Sequence, residues 1–150
     1  MINRIILLTI IFNIISFNLY AHDFIWGISQ NEYIRINGQP DEIRKKEDSN
    51  NTLLIYEHSY FDRVLEFSSN GLIIVVEFHG PYFSAEEATT MSQILLFTLF
   101  RDYTYVETKT TDDGPIFTFK YRNDDILFNV RLISEEVSMV MIMYISPFMD

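Results

Sequence analysis

The chain has 150 residues, of which 48% are hydrophobic and 15% aromatic, and its formal net charge is −10. This length and composition predict one domain with a packed core and argue against overall disorder. The basic residues are few, and the acidic balance argues against a nucleic-acid-binding surface, which needs clustered lysine and arginine. There is no cysteine, so we expect neither a disulfide framework nor a lipid anchor.

The first residues are typical of an export signal. Arg4 is the only charged residue within residues 1–21, which are otherwise largely apolar. We predict a secretory signal peptide over residues 1–21, cut between Ala21 and His22, and a single mature domain over residues 22–150. The alternative is a retained membrane anchor, but the apolar run is shorter than the roughly 20 residues that a span needs. After cleavage we expect no membrane span, and a periplasmic or secreted location in a bacterium.

The stretch over residues 24–40 contains a full set of helix start and stop signals. Ser29 is a suitable N-cap, and Glu32 completes a capping box three positions later. Gly38 supplies a left-handed stop, and Pro40 prevents the helix from continuing. The sequence therefore predicts one short, capped helix at the start of the mature chain.

A polar segment, residues 41–51, follows this helix, and we interpret it as a surface loop. After it come three runs of β-branched, aliphatic and aromatic residues of strand length, at residues 53–58, 64–67 and 72–78. Asn70-Gly71 between the last two runs is a strong hairpin signal. We expect a three-stranded antiparallel meander that ends at Gly80-Pro81.

A longer helix is predicted next, because Ser84 and Glu87 repeat the capping-box pattern. The apolar positions that define its inner face, or widen that face towards the C-terminal end, recur at helical spacing: Ala88, Met91, Ile94, Leu95, Leu96, Phe97, Leu99 and Phe100. A helix this apolar should be mostly covered, so we expect it to lie across a sheet as the main core element.

The last third predicts four strands, at residues 103–108, 116–121, 126–133 and 137–145. The final strand is apolar on nearly both faces and should be central or doubly covered. The predicted fold class is therefore α+β, with antiparallel strands in the order α-β-β-β-α-β-β-β-β. Both halves open with the same capping pattern, which leaves two alternatives: a degenerate tandem repeat, or shared capping chemistry alone. The sheet is either one continuous layer or two halves.

Candidate chemistry centres on the histidines. His58 and His79 end neighbouring predicted strands, with Glu57 and Glu77 close by in sequence, whereas His22 lies at the predicted mature N-terminus. A metal site needs three or four converging ligands, and Glu57 and His58 point to opposite faces of a strand. There is no activated-nucleophile motif or phosphate-binding loop. We therefore assign no catalytic, metal or cofactor-binding residue, and predict a protein that is not an enzyme.

The opening of the mature chain resembles that of a class of uncharacterised bacterial exported proteins. The pattern that carries this resemblance is Phe24-x-Trp26-Gly27-x-Ser29-x-x-Glu32-x-Ile34-x-x-x-Gly38-x-Pro40. It is also similar to the small outer-membrane assembly lipoproteins of the SmpA/OmlA type, although their lipidated cysteine is missing, and to the repeat unit of β-lactamase inhibitor proteins. The resemblance implies a helix-on-antiparallel-sheet envelope protein that acts by binding, and it transfers no catalytic residue.

Together these observations predict an exported, non-catalytic bacterial envelope protein that acts by binding or assembly with an envelope protein partner. One alternative is a small-ligand-dependent or metal-dependent enzyme, and another is a secreted inhibitor or virulence factor. Trp26, beside Phe24, has two interpretations of its own: it closes the end of the core, or it anchors a partner.

Overall fold

The computed structural model describes residues 24–112, 114–121, 124–132 and 138–148. Over these residues the chain forms two helices and eight strands. In chain order they are α1 (Gln30–Asn37), β1 (Glu42–Lys45), β2 (Thr52–Glu57), β3 (Phe61–Ser68), β4 (Gly71–Tyr82), α2 (Ala85–Asp102), β5 (Thr104–Thr111), β6 (Gly114–Tyr121), β7 (Asp124–Leu132) and β8 (Ser138–Ile145). The predicted signal peptide and its cleavage residues, Ala21 and His22, lie outside the described residues.

All eight strands belong to one antiparallel sheet with the spatial order β1-β2-β3-β4-β8-β7-β6-β5. Each half of the chain contributes one helix followed by a meander of four strands, and the two meanders join where β4 pairs with β8. The α+β class is confirmed, and the sheet is one continuous layer. The element order repeats between the halves, as a tandem repeat would require.

The loop predicted over residues 41–51 is wrong in part, because β1 forms there. Its four residues pair with β2, with Ile43 opposite Leu54, and all four are exposed. A short, charged strand carries no hydrophobic period, and such strands are typical of sheet edges. The observed order is therefore α-β-β-β-β-α-β-β-β-β, one strand more than predicted.

Gly80-Pro81 does not end the first meander, as the sequence had suggested. β4 continues to Tyr82, which pairs with Ser138 of β8, and the register shifts between His79 and Tyr82. Proline is accommodated in a strand at such an irregularity, because the regular hydrogen-bond ladder is already interrupted there.

The predicted helix starts are confirmed. Ser29 Oγ accepts a hydrogen bond from the Glu32 N–H at 3.3 Å, and Ser84 Oγ accepts one from the Glu87 N–H at 3.1 Å. Gly38 ends α1 with φ +90°. The Glu32 carboxylate does not return to the cap backbone; it binds the Arg35 guanidinium at 2.6 Å.

The main core lies on one side of the sheet, which we call the helix face because residues of both α1 and α2 pack there. Its fully buried side chains include Leu54, Leu65, Val75, Leu99, Phe119, Val140 and Ile142. β8 is central, as predicted, but only its alternate residues on the helix face are buried. The expectation that α2 is mostly covered is wrong for Phe97 and Phe100, which are 66% and 49% exposed.

Within the described chain, neither helix combines the length and apolarity needed to cross a membrane.

Candidate functional site

A buried ion pair lies on the helix face between β3 and β4. Arg63 and Glu77 are directly opposite each other in the register of these strands. The Glu77 Oε1 atom accepts hydrogen bonds from Arg63 Nη2 at 2.6 Å and from Arg63 Nε at 3.1 Å. Both side chains are largely buried, with 16% of the Arg63 side chain and 7% of the Glu77 side chain exposed.

Two further polar groups approach the second oxygen of the same carboxylate. The Tyr144 hydroxyl donates to Glu77 Oε2 at 3.4 Å, and His79 Nε2 lies 3.5 Å from the same atom. That His79 nitrogen is buried and makes no hydrogen bond within the described part of the chain.

The environment of Glu77 favours its ionised form. Burial alone would raise the pKa of this carboxyl, but its contacts with His79 and the charge of Arg63 outweigh burial and lower the pKa below its usual range. Burial and the neighbouring Glu77 charge raise the pKa of the Tyr144 hydroxyl well above its ordinary value. A carboxylate held ionised by a buried arginine is a poor proton donor at neutral pH, so this arrangement is suited to holding β3, β4 and β8 together.

The predicted histidines both contact the same aromatic ring, that of Phe61. The rings of His58 and His79 have centroids 4.8 Å and 5.3 Å from that of Phe61. The Arg63 guanidinium carbon lies 5.3 Å from the same ring centroid. Glu57 is exposed, whereas Glu77 is buried, and the described residues contain no group of three or more potential ligands that could hold a metal ion. His22 lies outside those residues.

The segment before α1 packs against the cluster formed by Arg63, Glu77 and Tyr144. The Phe24 ring packs 5.5 Å from Trp26 and 5.2 Å from Tyr144, centroid to centroid, and Trp26 is partly buried against the core. The Gly27 N–H donates to the Leu72 carbonyl at 3.1 Å, which ties the segment to β4. This packing favours the core interpretation of Trp26.

The opposite side of the sheet is apolar and carries neither of the described helices; we call it the open face. Its residues are half-buried and are aligned across four adjacent strands. They are Leu53, Ile55, Val64, Ile74, Val76, Phe78, Met141, Met143 and Ile145. One row runs straight across the sheet, from Ile55 through Val64 and Val76 to Met143.

Acidic residues border the open face on the β2 and β3 side. Glu57 and Asp62 are exposed and directly opposite each other, and like charges in that position repel. Glu66 is buried at 8% exposure, but it is neutralised by Lys46 Nζ at 3.1 Å and bound by Asn51 Nδ2 at 2.6 Å. The open face therefore has an apolar centre, with the two exposed carboxylates of Glu57 and Asp62 at one end of it.

Sequence reasoning missed the open face, although one signal for it was present. The apolar residues on both sides of β8, including Met141 and Met143, predicted a central or doubly covered strand. The inner residues of β8 are buried beneath the helices, and the outer ones form part of the open face.

Comparison with known proteins gives little further information. No family model matches the chain, and no curated protein matches it. Among solved structures, the crystal structure of a cysteine-rich secretory protein from Staphylococcus aureus subsp. aureus Mu50 aligns with a TM-score of 0.41 and 9% identity. The alignment covers 77% of this chain and 43% of that protein. A likeness this distant carries no argument about fold or function.

Proposed function

We propose that this protein is exported to the bacterial cell envelope and acts there by binding another protein through the open face. The observation that carries the proposal is the row of partly buried apolar side chains across β2, β3, β4 and β8, on the side of the sheet away from both described helices. Contiguous apolar surface with a polar border is typical of protein interaction sites.

The two exposed carboxylates beside the open face suggest the chemistry of the partner. Glu57 and Asp62 add negative charge beside Phe78 and Met141, which share their row on the open face. A basic side chain placed near the two carboxylates would relieve their mutual repulsion. The partner we propose is a protein surface with an apolar centre and basic residues around it, so its association should slow and weaken as salt rises.

The proposal is tested by Val76→Lys, at the centre of the open face. The lysine stem can lie along the neighbouring apolar side chains while its ammonium group reaches water, so the fold should persist. A partner that covers the face would have to bury that charge. We expect the wild-type protein to capture a discrete partner from the native envelope after cross-linking, and Val76→Lys to weaken capture at least about tenfold, which corresponds to about 1.4 kcal/mol.

Gln93→Lys is the matched control, because it makes the same change in charge at an exposed position of α2. This variant should capture the partner as well as the wild type does. The proposal is wrong if Gln93→Lys and Val76→Lys reduce capture equally, or if a correctly folded Val76→Lys retains full capture. It is equally wrong if the wild type captures no discrete partner from the envelope.

A further inference from the structure

The strand β5 forms one edge of the sheet and pairs only with β6 among the described strands. All eight of its residues are exposed. In an antiparallel strand, alternate residues direct their N–H and C=O groups to opposite sides, so β5 presents a row of backbone donors and acceptors outward. A long exposed edge of this kind is a template for pairing with another strand.

An aromatic patch lies beside this edge on the helix face. Phe100 of α2 packs 5.4 Å from Tyr105 of β5 and 5.1 Å from Phe119 of β6, centroid to centroid. Phe100 and Tyr105 nevertheless remain exposed, as does Phe97 one turn earlier. A strand added along β5 would direct every second side chain towards the side on which this patch lies.

We propose that two copies of this chain pair edge to edge through β5, antiparallel, about a two-fold axis at the level of Thr108. In this register, Glu107 of each copy lies directly opposite Lys109 of the other. Within one copy, Lys109 Nζ already lies 2.8 Å from Glu107 Oε1. Two glutamates and two lysines therefore alternate around the axis. Each glutamate faces a lysine of the other copy, and opposite charges in directly opposite positions stabilise a pair of strands.

Neighbouring registers are disfavoured by the same charges. Two residues that lie directly opposite each other in a sheet point to the same face. When β5 pairs with its own copy, this condition holds only if the two-fold axis passes at the level of a residue and not between two residues. An axis at Glu107 or at Lys109 would place that residue opposite its own copy, with like charges in contact. The irregularity in β5 lies between Tyr105 and Glu107, so the charged pairs fall in the regular part of the strand.

The other edge strand, β1, has a similar acid and base pair, in which Arg44 Nη2 lies 2.6 Å from Glu42 Oε2. It has only four residues, half the length of β5, so it offers fewer outward backbone groups. Length therefore favours β5 as the pairing edge, and β1 provides the control.

The test is the mass of the purified mature chain in solution, measured by sedimentation over a range of concentrations. The wild type should be a dimer. Glu107→Lys and Lys109→Glu should each be monomeric, because each brings like charges together twice. An equimolar mixture of the two variants should dimerise again, since every charged pair becomes complementary.

The charge changes also separate specific pairing from general repulsion. Glu107→Lys makes each copy less acidic, so general repulsion alone predicts stronger association, whereas the β5 register predicts weaker association. Glu42→Lys on β1 should leave the dimer intact. The proposal is overturned if the wild type is monomeric, if the single variants dimerise as the wild type does, if their mixture stays monomeric, or if Glu42→Lys abolishes the dimer.

Discussion

Glu77 is a buried charge in β4, between β3 and β8 at the centre of the sheet. Its carboxylate accepts two hydrogen bonds from Arg63 and one from Tyr144. Replacing it by glutamine would leave the Arg63 guanidinium buried without a counter-charge, and breaking a buried pair in this way typically destabilises a protein by about 3–5 kcal/mol. We expect Glu77→Gln to lower the free energy of unfolding by that amount, as measured by urea denaturation.

Glu32→Gln serves as the comparison, because it removes the partner of Arg35 in an ion pair on the surface, whose side chains are 71% and 45% exposed. Exposed pairs contribute little to stability, so this variant should unfold almost as the wild type does. Equal losses in Glu77→Gln and Glu32→Gln would contradict the structural role of the buried pair.

The lowered pKa of Glu77 also predicts how the stability of the protein changes at acidic pH. Burial opposes ionisation, but His79 and Arg63 keep the folded-state pKa below its unfolded value, which is about 4.3 for glutamate. The unfolded state therefore takes up the proton first as the pH falls, so this contribution to stability is present above about pH 4.3 and is lost as the pH falls towards the folded pKa.

We expect the wild type to lose more stability on acidification through this range than Glu77→Gln does. The exposed carboxylates titrate in both proteins, so the difference between the two curves of unfolding free energy against pH isolates Glu77. Parallel curves would show that its carboxyl is not held in the ionised form.

The contact between the segment before α1 and the β3–β4 hairpin depends on a glycine. A Cβ atom added to Gly71 would lie 2.2 Å from the Gly27 carbonyl oxygen, and the φ of Gly71 is +99°. Gly38 also has a positive φ, of +90°, but its added Cβ would have no neighbour within 4 Å. The two glycines therefore share a positive φ but differ in crowding.

Gly71→Ala should accordingly destabilise the protein more than Gly38→Ala does. Gly38→Ala incurs only the strain of a positive φ with an extended ψ of 179°, about 1–3 kcal/mol, whereas Gly71→Ala must also displace the backbone of the Gly27 segment. Thermal unfolding of the two variants measures the difference. Equal losses would indicate that the segment does not pack against the hairpin as described.

Local signals explain how much of the fold could be predicted from the sequence. The caps at Ser29 and Ser84 and the hairpin near Asn70-Gly71 depend on residues close together in the chain, and all three were found. The short strand β1 was not, because its four residues are charged or exposed and its formation depends on pairing with β2.

The Arg63–Glu77 pair could not be predicted, for a specific reason. At the turn, Ser68 pairs with Gly71 and Phe67 with Leu72; continued regularly, this register would place Arg63 opposite Val76. A bulge shifts the register between Glu66 and Phe67, which brings Arg63 opposite Glu77 instead. Nothing in the local sequence marks that extra residue, so the buried pair is a consequence of the three-dimensional structure.

The two sides of the sheet differ in how deeply their side chains are buried, and two adjacent residues of β4 show this difference. Val75 is completely buried on the helix face, whereas its neighbour Val76 is only partly buried on the open face. Val75→Lys would bury an unpaired charge, so we expect a loss of several kcal/mol and failure to fold. Val76→Lys should lose about 1 kcal/mol or less. Circular dichroism and urea denaturation of both variants measure these losses. If Val76→Lys lost more stability than Val75→Lys, the core would not lie on the helix face.

Binding through the open face is tested most directly by site-specific photo-cross-linking in the native envelope. A photoreactive residue is placed at Val76 or Met143 on the open face, or at Gln93 on the exposed side of α2. We predict one discrete adduct, with the same partner, from both open-face positions and none from Gln93. An adduct from Gln93 alone, or no adduct from either open-face position, would contradict the proposed function.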